Sequence, residues 1–284
     1  MRRRVFLQGG IASAALGWFF RKPASAHEKK STETRLSSFW TEGFFHQTAV
    51  EEANHQNHTI RASIQGKWNA YTIRELPEEY LDWNFKHRLS NMELMRSGRR
   101  PDWSGAHNAA VATVGKNRGD SRFTLNNAIK GMGVCPRLDR IDELTERLKS
   151  TSDQPHTDKF SVLESMYRDR SLWDARRLVS LELYSTPEFE THTFLNQMTN
   201  PLSTIVFLDI PSYEIRAVTS LYHPRDPDLS EYGQKIVRYV NTIHTYMHSH
   251  FTRIVSAVVY HVIEVYNNSP ASRGGGSQKG VRIV

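Results

Sequence analysis

Cys135 is the only cysteine in 284 residues, so no disulfide can join two parts of this chain. No uninterrupted apolar run reaches the roughly 20 residues that a membrane-spanning helix needs. The chain has no G-x-G-x-x-G, no P-loop, no C-x-x-C, no G-x-S-x-G and no H-E-x-x-H. These absences argue against nucleotide cofactors, the common hydrolase architectures and the zinc-protease arrangement, because each depends on residues at those spacings. An excess of charge is also lacking once the chain is divided. The formal net charge is +7, from 37 basic and 30 acidic residues. Five of the basic residues and none of the acidic ones lie in the first 26 positions, and the remainder holds 32 against 30. A nucleic-acid surface needs a basic face on the folded domain, and the near-balanced charge of the remainder removes the main support for one.

The first 26 residues have a different texture. Arg2, Arg3 and Arg4 precede an apolar run from Gly9 to Phe20, followed by Arg21, Lys22, Pro23 and then Ala24-Ser25-Ala26. That order of basic, apolar and small-x-small segments is an export signal, with cleavage expected before His27. Arg3-Arg4-Val5-Phe6-Leu7-Gln8 resembles the twin-arginine (Tat) export signal, R-R-x-F-L-K, with Gln8 where lysine is usual. The resemblance implies engagement of the Tat translocase through Arg3, Arg4, Phe6 and Leu7, recognition of Ala24 and Ala26 by a signal peptidase, and a periplasmic or secreted destination. It also implies folding in the reducing cytoplasm before export, which agrees with the single cysteine.

Beyond the signal, residues 27–35 read as a flexible lead, 36–266 as one α+β domain and 267–284 as a flexible tail rich in Gly, Ser and Asn. Spacing of Trp40, Phe44, Ala49 and Ala53 predicts a helix over 36–58. A short strand is expected over 59–65, a helix over 77–95, and irregular chain to Pro136. Leu138, Ile141, Leu144 and Leu148 mark one amphipathic helix, and Phe160, Leu163 and Met166 another. Four β-type runs follow, at 178–185, 191–198, 204–210 and 213–221, with turn residues between them. Connections that short predict a four-stranded antiparallel meander over 178–221. Ser230 then caps an apolar stripe at Ile236, Val240, Ile243, Met247, Phe251, Ile254, Val258 and Val262, which predicts a long helix over 231–266 covering the sheet.

Histidine is the compositional excess: thirteen, all beyond residue 26. His244 and His248, four apart on the expected helix, share a face one turn apart, which is a spacing that holds a metal ion. His192, on an expected strand, is the candidate third ligand. The competing expectation for His244 and His248 is a pair of half-buried, hydrogen-bonded core histidines, and for His192 a place on the solvent face of its strand. His250, His261 and Glu264 share another face of that helix. Glu51, His55 and His58 include one E-x-x-H unit, without the second that a carboxylate-bridged di-iron bundle needs. Asp209 reads as a turn residue and Cys135 as a structural thiol. The functional expectation is therefore an exported protein binding a transition metal (iron, copper or zinc) or haem through His244, His248 and His192. The alternative is a non-catalytic accessory subunit, or small-ligand binder, of a periplasmic redox complex.

Overall fold

The computed structural model describes residues 39–116, 118–248, 253–270 and 280–284. The export signal, the lead over 27–35 and His250 lie outside the described residues. A two-residue hairpin, β1 (Trp40–Thr41) and β2 (Phe44–Phe45), precedes a second hairpin, β3 (Thr59–Ile64) and β4 (Lys67–Thr72). Helix α1 (Glu78–Arg96) leads into β5 (Asn108–Val114), β6 (Leu125–Gly131) and β7 (Gly133–Pro136). Helices α2 (Ile141–Ser150) and α3 (His156–Arg168) come before β8 (Trp173–Glu182), α4 (His192–Thr199), β9 (Leu202–Phe207) and β10 (Tyr213–Tyr222). Helix α5 (Glu231–Met247), β11 (Ser256–Asn267) and β12 (Val281–Arg282) complete the chain.

The main sheet is antiparallel and runs β6-β5-β9-β10-β11-β8-β7, with β12 on β11. Its two terminal strands, β6 and β7, are joined by one residue, Met132. The sheet therefore curls until its ends meet in a single stretch of chain, paired with β5 over its first part and with β8 over its second. Across this join, Ser180 Oγ donates to Gly131 O at 2.7 Å and Lys130 Nζ meets Glu182 Oε2 at 2.7 Å. Register stacks the interior into layers. Val111, Ile205, Ile215 and Val265 lie directly opposite one another on four adjacent strands and none is exposed. Burying each such side chain contributes about 1.5–3 kcal/mol relative to leaving it in water.

The expected meander covered by one long helix is not the architecture. Three of its four strands exist, within β8, β9 and β10, but β11 separates β8 from β10 and the sheet extends well beyond them. The run Thr191–Met198 forms α4 instead of a strand. Thr191 Oγ1 accepts from Phe194 N at 3.1 Å as a helix N-cap, and Thr193 through Met198 are all buried. A helix wrapped on every side by protein loses the polar face that would betray its period. The long helix ends at Met247, because the density of β-branched residues after Ser256 favours strand. Val258 and Val262 of the apolar stripe lie in β11, and Ile254 is 66% exposed.

The expected helix over 36–58 is likewise replaced, from residue 39 on, by the β1–β2 hairpin and irregular chain; the irregular stretch before Pro136 contains β5 to β7, and β4 lies between the expected strand at 59–65 and the helix at 77–95. The expected elements at 59–65 and 77–95, and the two amphipathic helices that follow, correspond to β3, α1, α2 and α3. Of the tail expected to be flexible, Val281–Arg282 return to pair with Tyr266–Asn267. No helix among the described residues is long and apolar enough to cross a membrane.

Candidate functional site

Helix α5 starts at Ser230, whose Oγ accepts from Gly233 N at 3.1 Å. It packs Tyr232, Ile236, Val237, Tyr239 and Val240 inward. That anchoring carries its last turn to the end of the barrel where β5 begins. His244 lies in this turn and His248 caps it, donating its backbone N–H to His244 O at 3.1 Å. The two imidazole rings are 5.0 Å apart and tilted by 42°. Burial, followed by the nearby charge of His248, pushes the pKa of His244 down to about 4. Burial lowers that of His248 as well. Both are neutral at physiological pH, the state in which imidazole binds metal.

His107, immediately before β5, is the third imidazole at this end. Part of its surface is exposed, but protein crowds its other sides. This dehydration, with Arg88, His248, His244 and His87 following in that order, holds its pKa near 3. Its carbonyl accepts from Met132 N at 2.7 Å, which fixes it beside the barrel's closing residue. His87 on α1 continues the group. Its Nδ1 accepts weakly from Ala106 N and faces Asn91 Nδ2, both at 3.4 Å, which leaves the proton on Nε2. That nitrogen lies 4.0 Å from Asp209 Oδ2, beyond direct hydrogen bonding. Asp209 Oδ2 is itself held by Trp83 Nε1 at 2.9 Å. A Cβ at Gly105 (φ +92) would sit 2.1 Å from His87 Nε2, so only glycine admits the ring.

Arg88 binds this group to the barrel. It is 6% exposed and, instead of pairing with a carboxylate, donates to Asn84 Oδ1 (2.8 Å), Ala106 O (2.8 Å) and Met132 O (2.6 Å). Its guanidinium also lies over the Tyr167 ring, 5.5 Å from the centroid.

The structure brings the His244 and His248 rings within 5.0 Å of each other and places His107 within their electrostatic reach, whereas His192 lies elsewhere. His192 opens α4 and lines a different recess, of about 390 Å³, with Arg118, Asp120 and Asn126. Its assignment as third ligand came from the strand alternation that α4 replaces. His261 is on β11, fully buried, between Arg177 Nε (3.3 Å) and Ser220 Oγ (3.1 Å). Glu51, His55 and His58 are not on a helix: Glu51 pairs with Arg61, and His55 packs against Tyr232. Cys135 is buried, and burial pushes its thiol up to about 12, which makes it unreactive. Sequence reasoning missed His107, His87 and Arg88. His107 has no periodic neighbour and is brought to α5 only by closure of the barrel.

Among the described residues, the trio whose ligand atoms already lie within 4.8 Å of one another is a different one: His46, Asp226 and Asp228. His46 Nδ1 is bonded to Asp226 Oδ2 at 2.7 Å, and Asp226 Oδ1 accepts from Asp228 N, so the trio is an internally bonded surface turn. His244, His248 and His107 do not share that spacing.

No protein-family model matches the chain, and no curated protein matches it. Among solved structures it is similar to HupZ of Group A Streptococcus, crystallised with V5 and hexahistidine tags. The identity is 13% and the TM-score 0.34, covering 70% of this chain and 99% of that one. A likeness of that degree assigns neither fold nor activity.

Proposed function

We propose that this chain is an exported, twin-arginine-directed protein whose folded domain binds a transition-metal ion at the end of α5. His244 and His248 are the primary ligands and His107 the third. One observation carries the reading: two imidazoles 5.0 Å apart, both held neutral, stand beside a third brought from a distant part of the chain. Neutral nitrogen donors in this number suit zinc or copper, and an open coordination position would remain for water or a small ligand. The accessory-subunit alternative has no comparable cluster in its favour.

The test is metal analysis and an optical spectrum of protein recovered from the periplasm, together with zinc titration of purified protein. About one ion per chain is expected, lost in His244→Ala/His248→Ala, with affinity reduced roughly 10-fold or more in His107→Ala. Absence of stoichiometric metal, with a melting temperature indifferent to chelator, refutes the metal reading. For export, replacing Arg3 and Arg4 by lysine is expected to retain the precursor in the cytoplasm; unchanged export refutes the twin-arginine reading alone.

A further inference from the structure

A second cavity, of about 470 Å³, opens at the mouth of the barrel between β1 and the start of β11. Its lining includes Trp40, Glu182, His223, Arg225, Arg253 and Ser256. The volume is that of a small-molecule pocket, and barrel mouths are common places for one. Two guanidinium groups line it, and among the described residues neither meets a carboxylate. Arg225 Nη2 is held by Gly43 O, and Arg253 Nη2 donates to Leu183 O at 2.6 Å. Gly43 (φ +79) makes this hold possible, because a Cβ there would meet Arg225 Nη2.

The one carboxylate lining the cavity, Glu182, and the one next to Arg225 in sequence, Asp226, are already engaged. Asp226 accepts from His46, and Glu182 accepts from Lys130 (2.7 Å), Ser185 (3.1 Å) and Thr191 (3.2 Å). The cavity therefore presents net positive charge, with guanidinium donors anchored in place. Arg225 N donates to His223 Nδ1 at 3.1 Å, which leaves the proton of the neutral ring on Nε2. Burial and the Arg225 charge keep His223 neutral, with its pKa at about 4. Trp40 supplies an aromatic wall, steadied by Nε1 donating to Glu190 Oε1 at 2.9 Å and by packing on Phe45 and Phe194.

We propose that this mouth binds a small aromatic anion, its ring against Trp40 and its carboxylate or phosphate met by Arg225 and Arg253. Planar guanidinium groups suit both oxyanions because they can donate two parallel N–H bonds. The inference does not depend on the metal reading, since none of these residues belongs to the histidine group.

Calorimetric titration of the full chain with phenyl phosphate, and separately with benzoate, tests it, with phenol as the uncharged control. Binding of at least one anion is expected, stronger than that of phenol, with tryptophan emission altered on saturation. The arm that binds more tightly identifies phosphate or carboxylate as the preferred group. Arg253→Gln and Arg225→Gln are each expected to weaken it roughly 10-fold, the value of one charge-assisted bond. Arg253 is exposed, so that variant keeps the test valid should Arg225→Gln loosen the β1–β2 turn. His244→Ala/His248→Ala is expected to leave anion binding intact. Failure of both anions to bind at about 10 mM, phenol binding as tightly as the anions, or affinity unchanged in both arginine variants overturns the proposal.

Discussion

Replacing Arg88 by methionine tests how the barrel is closed. The substitution keeps most of the side-chain length and removes three donated bonds, to Asn84 Oδ1, Ala106 O and Met132 O. Two of these acceptors are backbone carbonyls, that of Met132 between β6 and β7 and that of Ala106 just before β5. Bonds from a charged donor contribute about 1.5–3 kcal/mol each, and a buried acceptor left unpaired costs about 1–3 kcal/mol. These contributions are not additive, because part of the cost of burying the charge is relieved when the charge is removed. A net loss of about 4 kcal/mol is expected, equivalent to roughly 10 °C in melting temperature for a domain of this size. Arg88→Lys, which can reach one carbonyl but not two, is expected to lose about half as much. Urea titrations of the three proteins supply the measurement. A second readout is local: the Arg88 charge lowers the pKa of His107, so NMR titration is expected to find that pKa higher in Arg88→Met. A variant melting within about 2 °C of the parent, with His107 titrating unchanged, refutes the reasoning.

Lys130 and Glu182, with side chains 11% and 1% exposed, form a buried pair across the same join. Lys130→Met alone is expected to cost about 3–5 kcal/mol by stranding the carboxylate, while Lys130→Met/Glu182→Leu recovers most of that; chemical denaturation distinguishes them. Gly105→Ala is expected to destabilise the fold and displace the His87 ring, visible as a shifted imidazole resonance, because its Cβ has no space. His223 titrates at about 4 in the folded protein, below its ordinary 6.5. The unfolded chain therefore takes up this proton first, and stability present above pH 6.5 is lost as the pH falls from there to about 4, by about 3 kcal/mol. His223→Gln is expected to lack that step in stability measured against pH, and an identical profile in the variant refutes it.

Elements whose apolar residues follow one period, with polar residues opposite, were legible in the sequence. Leu144 and Leu148 of α2 and Phe160, Leu163 and Met166 of α3 are of this kind, and all are buried. Where protein covers an element on several sides the contrast disappears. Helix α4 then reads as an alternating strand. Strands β5 and β6 fail for another reason: β6 turns Leu125 and Ile129 outward and keeps Asn126, Ala128 and Lys130 on the more covered face, so no apolar alternation marks it. The most misleading stretch was β11. Val258 and Val262 continue the steps of three and four from α5, although Val259 and Val265 between and beyond them are just as buried. The His244–His248 pair was legible because its spacing is local. His107 was not, since its place beside them depends on a ring of strands whose pairing no short window reveals.

That ring has a consequence for how the molecule comes apart. An open sheet can fray from either edge and keep a smaller sheet behind. Here the two ends of the sheet are one stretch of chain, so peeling β6 from β5 pulls through Met132 on the pairing of β7 with β8. Partial unfolding that spares half the barrel has no low-cost starting point. The barrel is expected to lose its protection against amide exchange in one cooperative step, with β5 and β8 opening at the same free energy although three strands separate them on the other side of the ring.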